Sequence, residues 1–475
     1  MRSSPIVLGR AIIVGLLTAI LATAAACATE LTVSPDGVLL KEGKPYRGIG
    51  VNVADAYHRL WLHPGDYSYD RDFATLEAEG IPFARIPATA FSATDVRNYL
   101  INRADYLQKL DGVVRSAERH HIGLIMDLFW WDAAVPDIVH EPRSAWGDPN
   151  SRTIAFMREY THTIVSRYKD SPAAWAWEFG NEFSLQADLP NAAQWRPPLN
   201  PGLGWPAKRT KADDLTTAAI VVAFREFAKA VRDVDPTGAI TTGNAMPRQS
   251  AEYQRKTLTW NRPDTRADFR ANLALVTPDP MDVISIHLYY DDLRFNRFRH
   301  PGLATYDELL SEAMKVSVAL KKPLFIGEMA TGMPSSIKPD DVRHDFEARL
   351  QAVLNRKVPL AAFWQVSTSL TFQNDPLTFS RPKGFGYMFD EIKAANEKIA
   401  DQLASEERVT DLLPKFKTAF GNGGSSAVRA IQKLLVARGF KSGPANGKYS
   451  PGMERALAAC IASGACTSVD LPAYR

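Results

Sequence analysis

Short apolar runs alternate with longer amphipathic segments along most of the 475-residue chain. The runs have the length and the β-branched or apolar content of buried strands, and they cover residues 47–53, 83–87, 123–129, 174–179, 239–243, 283–288, 323–328 and 361–365. Helical periodicity predicts helices over residues 70–79, 99–120, 152–168, 213–234, 306–320, 341–356 and 387–403. The pattern between the fifth and sixth strands is irregular, and we place no helix there. Eight strands, most of them followed by a helix, predict parallel pairing and a closed (β/α)8 TIM barrel.

The charge balance excludes one class of partner. Lys and Arg together number 56 and Asp and Glu 53, which leaves a formal net charge of +3. A protein that binds nucleic acid needs a clear basic excess to neutralise phosphates, so we expect no nucleic acid partner. With 45% hydrophobic and 23% charged residues, the chain also has the composition of an ordinary globular protein. We expect it to act as a monomer.

The first thirty residues have the order of a secretory signal. Arg2 and Arg10 precede an apolar run over residues 11–21, which is too short to span a bilayer comfortably, and small residues follow over 22–26. We therefore expect residues 1–28 to be a signal peptide and the protein to be exported to the periplasm or the medium. Cleavage at Ala26-Cys27-Ala28 would release a soluble product, whereas lipidation of Cys27 would anchor it. No later segment is long and apolar enough to predict a membrane span.

The barrel is expected to occupy residues 31–405 and to begin with a hairpin over 31–46. Residues 406–425 are predicted to be a linker because 421–426 are rich in glycine and serine. A small helical domain is predicted over 426–475. Within it Cys460 and Cys466 lie six positions apart, so in an oxidising compartment we expect a disulfide. Two unpaired thiols in a helical core are the alternative.

Glutamates end two non-adjacent strands of the predicted barrel. Glu182 follows Asn181 after the fourth strand, and Glu328 ends the seventh strand. The carboxyl ends of barrel strands meet at one face, so these two side chains can enter one cavity. Glycoside hydrolysis needs such a pair, because one carboxyl protonates the leaving oxygen while the other attacks the sugar carbon. Glu178, inside the fourth strand, is the one rival for a catalytic role.

The ordered set of strand-end residues resembles the clan A glycoside hydrolases, and most closely the cellulase-type glycoside hydrolase family 5. Besides Asn181, Glu182 and Glu328, the set contains Arg85, His287, Tyr289 and Trp364. The resemblance extends roughly over residues 31–403. It implies that Glu182 is the general acid/base and Glu328 the nucleophile of a retaining double displacement on a β-linked glucan or mannan. The third strand departs from the family pattern, since the family usually has a histidine at its end whereas Asp127-Leu128-Phe129-Trp130-Trp131 contains none.

The implied roles of the charged residues make chemical predictions. Glu182 must hold a proton, so its pKa should be raised by burial and by the negative charge of Glu328. Arg85 and the Tyr289 hydroxyl should stabilise the Glu328 anion. His287 should orient the acid/base. A buried salt bridge between Glu328 and Arg85, with His287 as an ordinary core residue, is the structural alternative.

The remaining site residues should contact sugar. Asn181 is placed to donate a hydrogen bond to a sugar 2-hydroxyl, and Trp364 and Trp130 offer flat faces for stacking. Simple packing is the alternative for both tryptophans. No His and Cys cluster has metal-ligand spacing and no phosphate-binding glycine loop follows a strand, so we expect neither metal nor cofactor.

The C-terminal segment resembles the peptidoglycan-binding domain found on many bacterial wall enzymes. Its helix over 426–435, its loop over 446–450 and its helix over 454–461 follow the order of that domain, although the loop departs from the usual Asp-Gly-x-Phe-Gly. The resemblance implies peptidoglycan as a second partner. A stabilising appendage without a ligand is the alternative. Two other functions therefore stay open, namely a peptidoglycan-directed glycan hydrolase and a non-catalytic wall carbohydrate-binding protein.

Overall fold

The structure is a computed structural model that describes residues 30–89, 91–260, 262–294, 296–330 and 339–472. The predicted signal peptide over 1–28 and Cys27 lie outside the described residues. The chain first forms a small antiparallel sheet where the hairpin was expected. Its strands are β1 (Leu31–Val33), β2 (Leu39–Lys41) and β3 (Lys44–Pro45).

Eight parallel strands then form the barrel, in the order along the chain that the sequence predicts. They are β4 (Gly48–Asn52), β5 (Phe83–Pro87), β6 (Gly123–Phe129), β7 (Ala174–Gly180), β8 (Ala239–Thr241), β9 (Ile284–Tyr289), β10 (Leu324–Ala330) and β11 (Leu360–Phe363). Neighbouring strands pair in parallel in the order β8, β7, β6, β5, β4, β11, β10 and β9. A bridge between Thr241 and Val283 closes the ring between β8 and β9. The predicted TIM barrel is confirmed.

Helices flank the barrel strands, and the last of them form a separate C-terminal cluster. They are α1 (Arg59–Leu62), α2 (Tyr69–Ala78), α3 (Ala93–Ile101), α4 (Arg103–Arg119), α5 (Ala134–Ile138), α6 (Arg152–Tyr168), α7 (Thr217–Arg232), α8 (Ala251–Thr257), α9 (Arg266–Leu275), α10 (Tyr290–Arg294), α11 (Tyr306–Leu320), α12 (Pro339–Asn355), α13 (Gly386–Ala437) and α14 (Pro451–Ala462). The single helix predicted over 99–120 is in fact the end of α3 and the whole of α4. Asn102 separates them because its side chain caps α4 by accepting from the Asp105 amide. The irregular stretch before the sixth strand contains α8 and α9.

The small sheet closes the amino-terminal end of the barrel. Leu31 and Leu39 of that sheet are buried in one cluster with Phe83, Trp175 and Phe325, which stand at or near the starts of their strands. Burying these large side chains stabilises this end by the hydrophobic effect. The opposite end, where the strands finish, is therefore the end at which a cavity can form.

Most of the predicted linker over 406–425 is helical, and the helix is broken at Gly424 within the glycine-rich part. This segment lies inside α13, where Gly424 is the residue with non-helical angles (φ 58°, ψ −149°). Phe416 and Phe420 of the segment are buried against a cluster that includes Val428 and Leu457. A helical glycine costs about 1 kcal/mol relative to alanine, whereas burying a phenylalanine contributes about 1.5–3 kcal/mol, so tertiary packing overrides local composition.

Cys460 and Cys466 are joined by a disulfide that connects α14 to the segment after it. Both residues are fully buried in the C-terminal cluster. Within the described part of the chain, no helix has the combination of length and apolarity that crossing a membrane requires.

Replacing Cys460 and Cys466 together by alanine should destabilise the C-terminal cluster. A cross-link over so short a loop contributes about 2 kcal/mol by restricting the unfolded chain. Amide hydrogens of α14 should then exchange about thirtyfold faster in hydrogen–deuterium exchange, while those of β5 to β7 keep their rates. Unchanged exchange in α14, or equal acceleration in the barrel, would contradict this local role.

Candidate active site

Glu328 lies in β10 at a point where the strand changes register. The pairing of β10 with β9 shifts between Ile326 and Glu328, and its pairing with β11 also shifts there. Such irregularities re-aim side chains at barrel rims. Gly327 at this point allows His287 to approach closely, since a β-carbon on it would lie 3.0 Å from His287 Nε2, a tight contact. The local sequence therefore brings Glu328 against His287.

Glu182 follows β7 in a left-handed backbone conformation, with φ 57° and ψ 23°. This conformation is uncommon for a residue with a side chain and costs on the order of 1–3 kcal/mol. The Glu182 amide donates to the Gly243 carbonyl at 2.9 Å. Arg248 donates to the carbonyls of Ser184 and Leu185 at 2.7 and 2.9 Å. Contacts from the segment after β8 thus hold the turn that presents Glu182.

The two glutamates meet at His287. Carboxylate oxygens of Glu182 and Glu328 and a nitrogen of His287 all lie within 4.8 Å of one another. His287 Nδ1 is 2.8 Å from Glu182 Oε1 and 3.4 Å from Glu328 Oε2. A metal ion could be held at such spacing, but the Arg85 cation 2.7 Å from Glu328 opposes a second positive charge there. The spacing instead allows the two carboxyl groups to act on neighbouring atoms of one bound molecule.

Glu328 is held as an anion by two donors. Arg85 Nη1 donates to its Oε1 at 2.7 Å, and the Tyr289 hydroxyl donates to its Oε2 at 2.5 Å. The Glu328 side chain is only 5% exposed, so these hydrogen bonds act in surroundings of low polarity. The Tyr289 backbone is positioned in turn by Asp292, which accepts from its amide. Arg85 and Tyr289 thus both contact the Glu328 carboxylate.

Arg85 is the centre of a buried charge cluster. Its Nε donates to Glu178 at 2.5 Å, and its Nη2 donates to Asn181 Oδ1 at 2.9 Å and lies 3.4 Å from Asp127. Burial alone would lower the pKa of Arg85, but the carboxylates of Glu178, Glu328 and Asp127 raise it above the ordinary value. Burial also raises the pKa of Asp127 and of Glu178. Glu178 is therefore placed as a partner of Arg85, fully buried beneath the cavity.

Glu182 and His287 have shifted titration behaviour. Burial raises the pKa of Glu182 above the usual value of a glutamic acid, while the charges of Arg85 and Arg297 oppose the shift. The main cause is thus burial rather than the charge of Glu328. Burial lowers the pKa of His287 to about 4. At neutral pH the imidazole is therefore uncharged and orients Glu182 through a hydrogen bond without adding a positive charge.

The two tryptophans form a stacked pair beside the carboxyls. The Trp130 and Trp364 rings are 6.0 Å apart with 29° between their planes, and the Arg85 guanidinium lies 4.8 Å from the Trp130 ring centre. Trp130 is 9% exposed, whereas Trp364 is partly open to solvent. Trp364 is therefore the more accessible of the two stacked rings.

A cavity of about 230 Å³, here named the catalytic cavity, lies beside these groups. Glu182, Asn181, Trp130 and Trp131 are among its lining residues. A larger cavity of about 610 Å³ is lined instead by residues of α10, α11 and α12 and of the loop before α11. The larger cavity is therefore not the one that contains the glutamate and asparagine side chains of the site.

Asn52 is a site residue that the sequence reasoning missed. Its Oδ1 accepts from Arg85 at 3.2 Å, and its Nδ2 donates to the Gly327 carbonyl at 2.9 Å. It therefore links the arginine to the strand irregularity that positions Glu328. The available signal was a lone amide at the end of the apolar run that became β4, since such polar strand ends face the site.

Comparison with known proteins identifies related sequences and folds. A family model described as cellulase (glycosyl hydrolase family 5) matches residues 39–369. A probable mannan endo-1,4-beta-mannosidase A-1 of Aspergillus terreus is 38% identical over 97 residues, 18% of this chain and 24% of the relative. A probable mannan endo-1,4-beta-mannosidase F of Neosartorya fischeri is 39% identical over 89 residues, 18% of this chain and 19% of the relative. The matches thus span no more than about a quarter of these curated relatives.

Solved structures share the barrel. The endo-1,4-beta-mannanase from Rhizomucor miehei superposes with a TM-score of 0.56 at 15% identity, covering 78% of this chain and 99% of that one. The hyperthermostable endo-1,4-beta-D-mannanase from Thermotoga petrophila RKU-1 gives a TM-score of 0.52 at 13% identity, covering 74% of this chain and 100% of that one. At such identities the likeness concerns the fold.

Proposed function

Because the chain belongs to glycosyl hydrolase family 5, we propose that it hydrolyses a β-1,4-linked polysaccharide, mannan first and glucan second, by retaining double displacement. The observation that carries the proposal is the Glu182 and Glu328 pair, whose carboxylate oxygens approach within 4.8 Å. Retaining glycosidases hold their carboxyls about 5 to 5.5 Å apart, whereas inverting enzymes need about 6.5 to 9.5 Å to admit a water. The close spacing favours direct attack by one carboxylate.

The first step forms a covalent sugar ester. A Glu328 carboxylate oxygen attacks the anomeric carbon as the bond from that carbon to the leaving oxygen breaks. Glu182 gives its proton to the leaving oxygen, so the leaving sugar departs as a neutral alcohol. In the second step Glu182, now a carboxylate, takes a proton from water, and the resulting hydroxide displaces Glu328 from the sugar. Both glutamates return to their starting states.

The surrounding residues fit these charge changes. Arg85 and Tyr289 stabilise Glu328 as an anion before attack and as the leaving group of the second step. Arg85 also engages the Asn181 oxygen, which orients the Asn181 amide nitrogen as a donor for a sugar 2-hydroxyl. Trp364 supplies an apolar face for the ring.

The substrate preference rests on similarity. Curated relatives and solved neighbours are named as endo-acting β-1,4-mannan hydrolases, which favours internal cleavage of mannan. The test is incubation with β-1,4-mannan, β-1,4-glucan, xylan and purified peptidoglycan, with product anomers followed by NMR. We expect β-anomers to form first from mannan and viscosity to fall before reducing ends accumulate. Initial α-anomers would overturn retention, and release from peptidoglycan alone would establish the peptidoglycan-directed alternative.

The plot of kcat/KM against pH should be bell-shaped. Activity requires protonated Glu182, and its raised pKa places the loss of kcat/KM at high pH above the ordinary glutamate value of about 4.3. At low pH activity should fall as His287 becomes charged below about pH 4 and its interaction with Glu182 changes. Stopped assays between pH 3 and 9 on an aryl β-mannobioside check this. The basic limb should disappear in Glu182→Gln, and a flat profile in the unmodified enzyme would contradict the assignment.

For the C-terminal residues 426–475 we propose wall binding. Gln432 holds the 446–450 loop by donating to the Lys448 carbonyl at 3.0 Å and accepting from the Gly447 amide at 2.9 Å. Tyr449 on this loop is 40% exposed. The full chain should sediment with purified peptidoglycan, and Tyr449→Ala should reduce the bound fraction severalfold. Absence of sedimentation of the full chain would support an appendage without this ligand, and equal sedimentation of both proteins would exclude Tyr449 as the contact.

We also propose export, which the order of charged, apolar and small residues in 1–28 supports. Expression of the full chain and of Cys27→Ala, followed by cell fractionation, tests both routes. A soluble exported product from both proteins indicates cleavage, whereas loss of membrane association in Cys27→Ala indicates lipidation. Retention of both in the cytoplasm would overturn export.

A further inference from the structure

The long loop between β7 and α7 crosses over the loop that follows β6. Arg209 of the first loop donates to both carboxylate oxygens of Asp137 in α5, at 2.7 and 2.8 Å. Both side chains are more than nine-tenths buried. Farther out, Asn200 donates to Thr94 of α3 at 2.8 Å. The loop between β7 and α7, here called the β7 loop, is therefore held at two points. One contact is with α5, which follows β6, and the other is with α3, which follows β5.

A second cavity of about 230 Å³ lies beneath this crossing, and we name it the loop cavity. Pro197, Leu199 and Pro201 form one wall, and Ala134 and Trp131 form another. Asn200, Asp137 and Arg209 supply polar groups at its edge. An apolar and aromatic lining with a few polar groups suits a pyranose ring, which has apolar C–H faces and hydroxyls around its rim. Prolines restrict the backbone, so little freedom is lost when a ligand binds.

Trp131 connects the loop cavity to the site of chemistry. It lines both the loop cavity and the catalytic cavity, and its side chain remains 44% exposed. The catalytic cavity is lined by Glu182, the group that protonates the leaving oxygen. Trp131 and the loop cavity thus lie on the same side of the site as the proton donor. The part of the polysaccharide that leaves after cleavage is expected to bind on that side.

We propose that the loop cavity binds a sugar unit on the leaving-group side of the substrate, at least one residue beyond the scissile bond, with Trp131 as the shared wall. This inference depends on the proposed function, because it concerns the chain that is cleaved. The leaving portion carries the reducing end. Occupation of the loop cavity should thus decide how many sugars lie between the cleaved bond and the reducing end.

The test is the distribution of cleavage sites in β-1,4-mannopentaose and mannohexaose labelled with ¹⁸O at the reducing end, read by mass spectrometry. Leu199→Trp fills the loop cavity, and Trp131→Ala removes the shared wall. Trp195→Ala is the matched control, since Trp195 lies in the same loop, is 58% exposed and stands outside both linings. Cello-oligosaccharides of the same lengths form a second arm.

In Leu199→Trp and Trp131→Ala we expect cleavage to move at least fivefold toward bonds nearer the reducing end. KM for the hexasaccharide should also rise at least fivefold more than KM for the trisaccharide, whereas Trp195→Ala should match the unmodified enzyme. A uniform loss of rate with an unchanged distribution would mean a structural role only and would overturn the inference. Hydrolysis by the unmodified enzyme with identical distributions in all variants would overturn it while leaving the proposed function intact. Failure of the unmodified enzyme on every oligosaccharide would overturn both.

Discussion

Glu328→Gln is expected to reduce kcat/KM on an aryl β-mannobioside by about 10⁴-fold or more, equivalent to about 5 kcal/mol of transition-state stabilisation. Glutamine has nearly the same size, so the cavity keeps its shape, but the neutral amide cannot form the sugar ester. Arg85 retains its buried partners Glu178 and Asp127, so the substitution should leave the fold intact. The loss should therefore be in chemistry rather than in stability, and circular dichroism with thermal unfolding checks that assumption.

A control and a product analysis sharpen this prediction. Glu347→Gln makes the same chemical change on the outer helix α12 and should leave the rate unchanged. Glu328→Ala opens space for azide, which would attack from the side that Glu328 occupied and give an α-glycosyl azide. Turnover of Glu328→Gln within tenfold of the unmodified enzyme, or azide product of the β-configuration, would exclude Glu328 as the nucleophile.

Glu182→Ala is expected to show a loss that depends on the leaving group. Cleavage of polysaccharide should fall by about 10²- to 10⁴-fold, because the leaving sugar oxygen needs a proton. A 2,4-dinitrophenyl leaving group needs none, so its release in a first burst should stay near the rate of the unmodified enzyme. The sugar ester on Glu328 should then accumulate, since no base remains to activate water. Stopped-flow absorbance and intact-protein mass spectrometry measure the burst and the ester.

Azide again provides a distinguishing outcome. In Glu182→Ala it should accelerate turnover by attacking the accumulated ester and should give a β-glycosyl azide, the opposite anomer to that from Glu328→Ala. His287→Gln is a useful comparison, because it removes the hydrogen bond to Glu182 but keeps the acid. It should weaken cleavage of polysaccharide less than Glu182→Ala does. An equal loss on both leaving groups in Glu182→Ala would argue against a proton-donating role.

The barrel could be predicted because its strands are locally encoded. All residues of β5, β6 and β7 are buried, so each strand appears in the sequence as a short, mostly apolar run with a single charged residue, namely Arg85, Asp127 or Glu178. The glutamates could be predicted for a related reason. Parallel strands that close into a barrel bring their carboxyl ends to one face, which makes Glu182 and Glu328 neighbours once the strand order is known.

Packing between distant segments could not be predicted in the same way. The glycine-rich stretch after residue 420 has the composition of a flexible linker, yet the non-helical angles within α13 are confined to Gly424, and Phe416 and Phe420 just before the stretch are buried in the C-terminal cluster. Asn52 offered only a lone amide at the end of β4, and its role depends on contact with Arg85, which lies 33 residues farther along the chain. In both cases the deciding contacts were not visible in the local sequence.

The sequence by itself thus determined the strand order, the closed barrel and the two strand ends that carry the glutamates, because these follow from periodicity within short windows. Tertiary structure alone decided that Glu178 is bound by Arg85, that burial rather than the charge of Glu328 is what raises the pKa of Glu182, and that the β7 loop crosses to Asp137. These outcomes depend on side chains that are far apart in the chain, 93 residues for Arg85 and Glu178 and 72 for Asp137 and Arg209. Desolvation and hydrogen bonding at such contacts arise only when the folded chain brings those residues together.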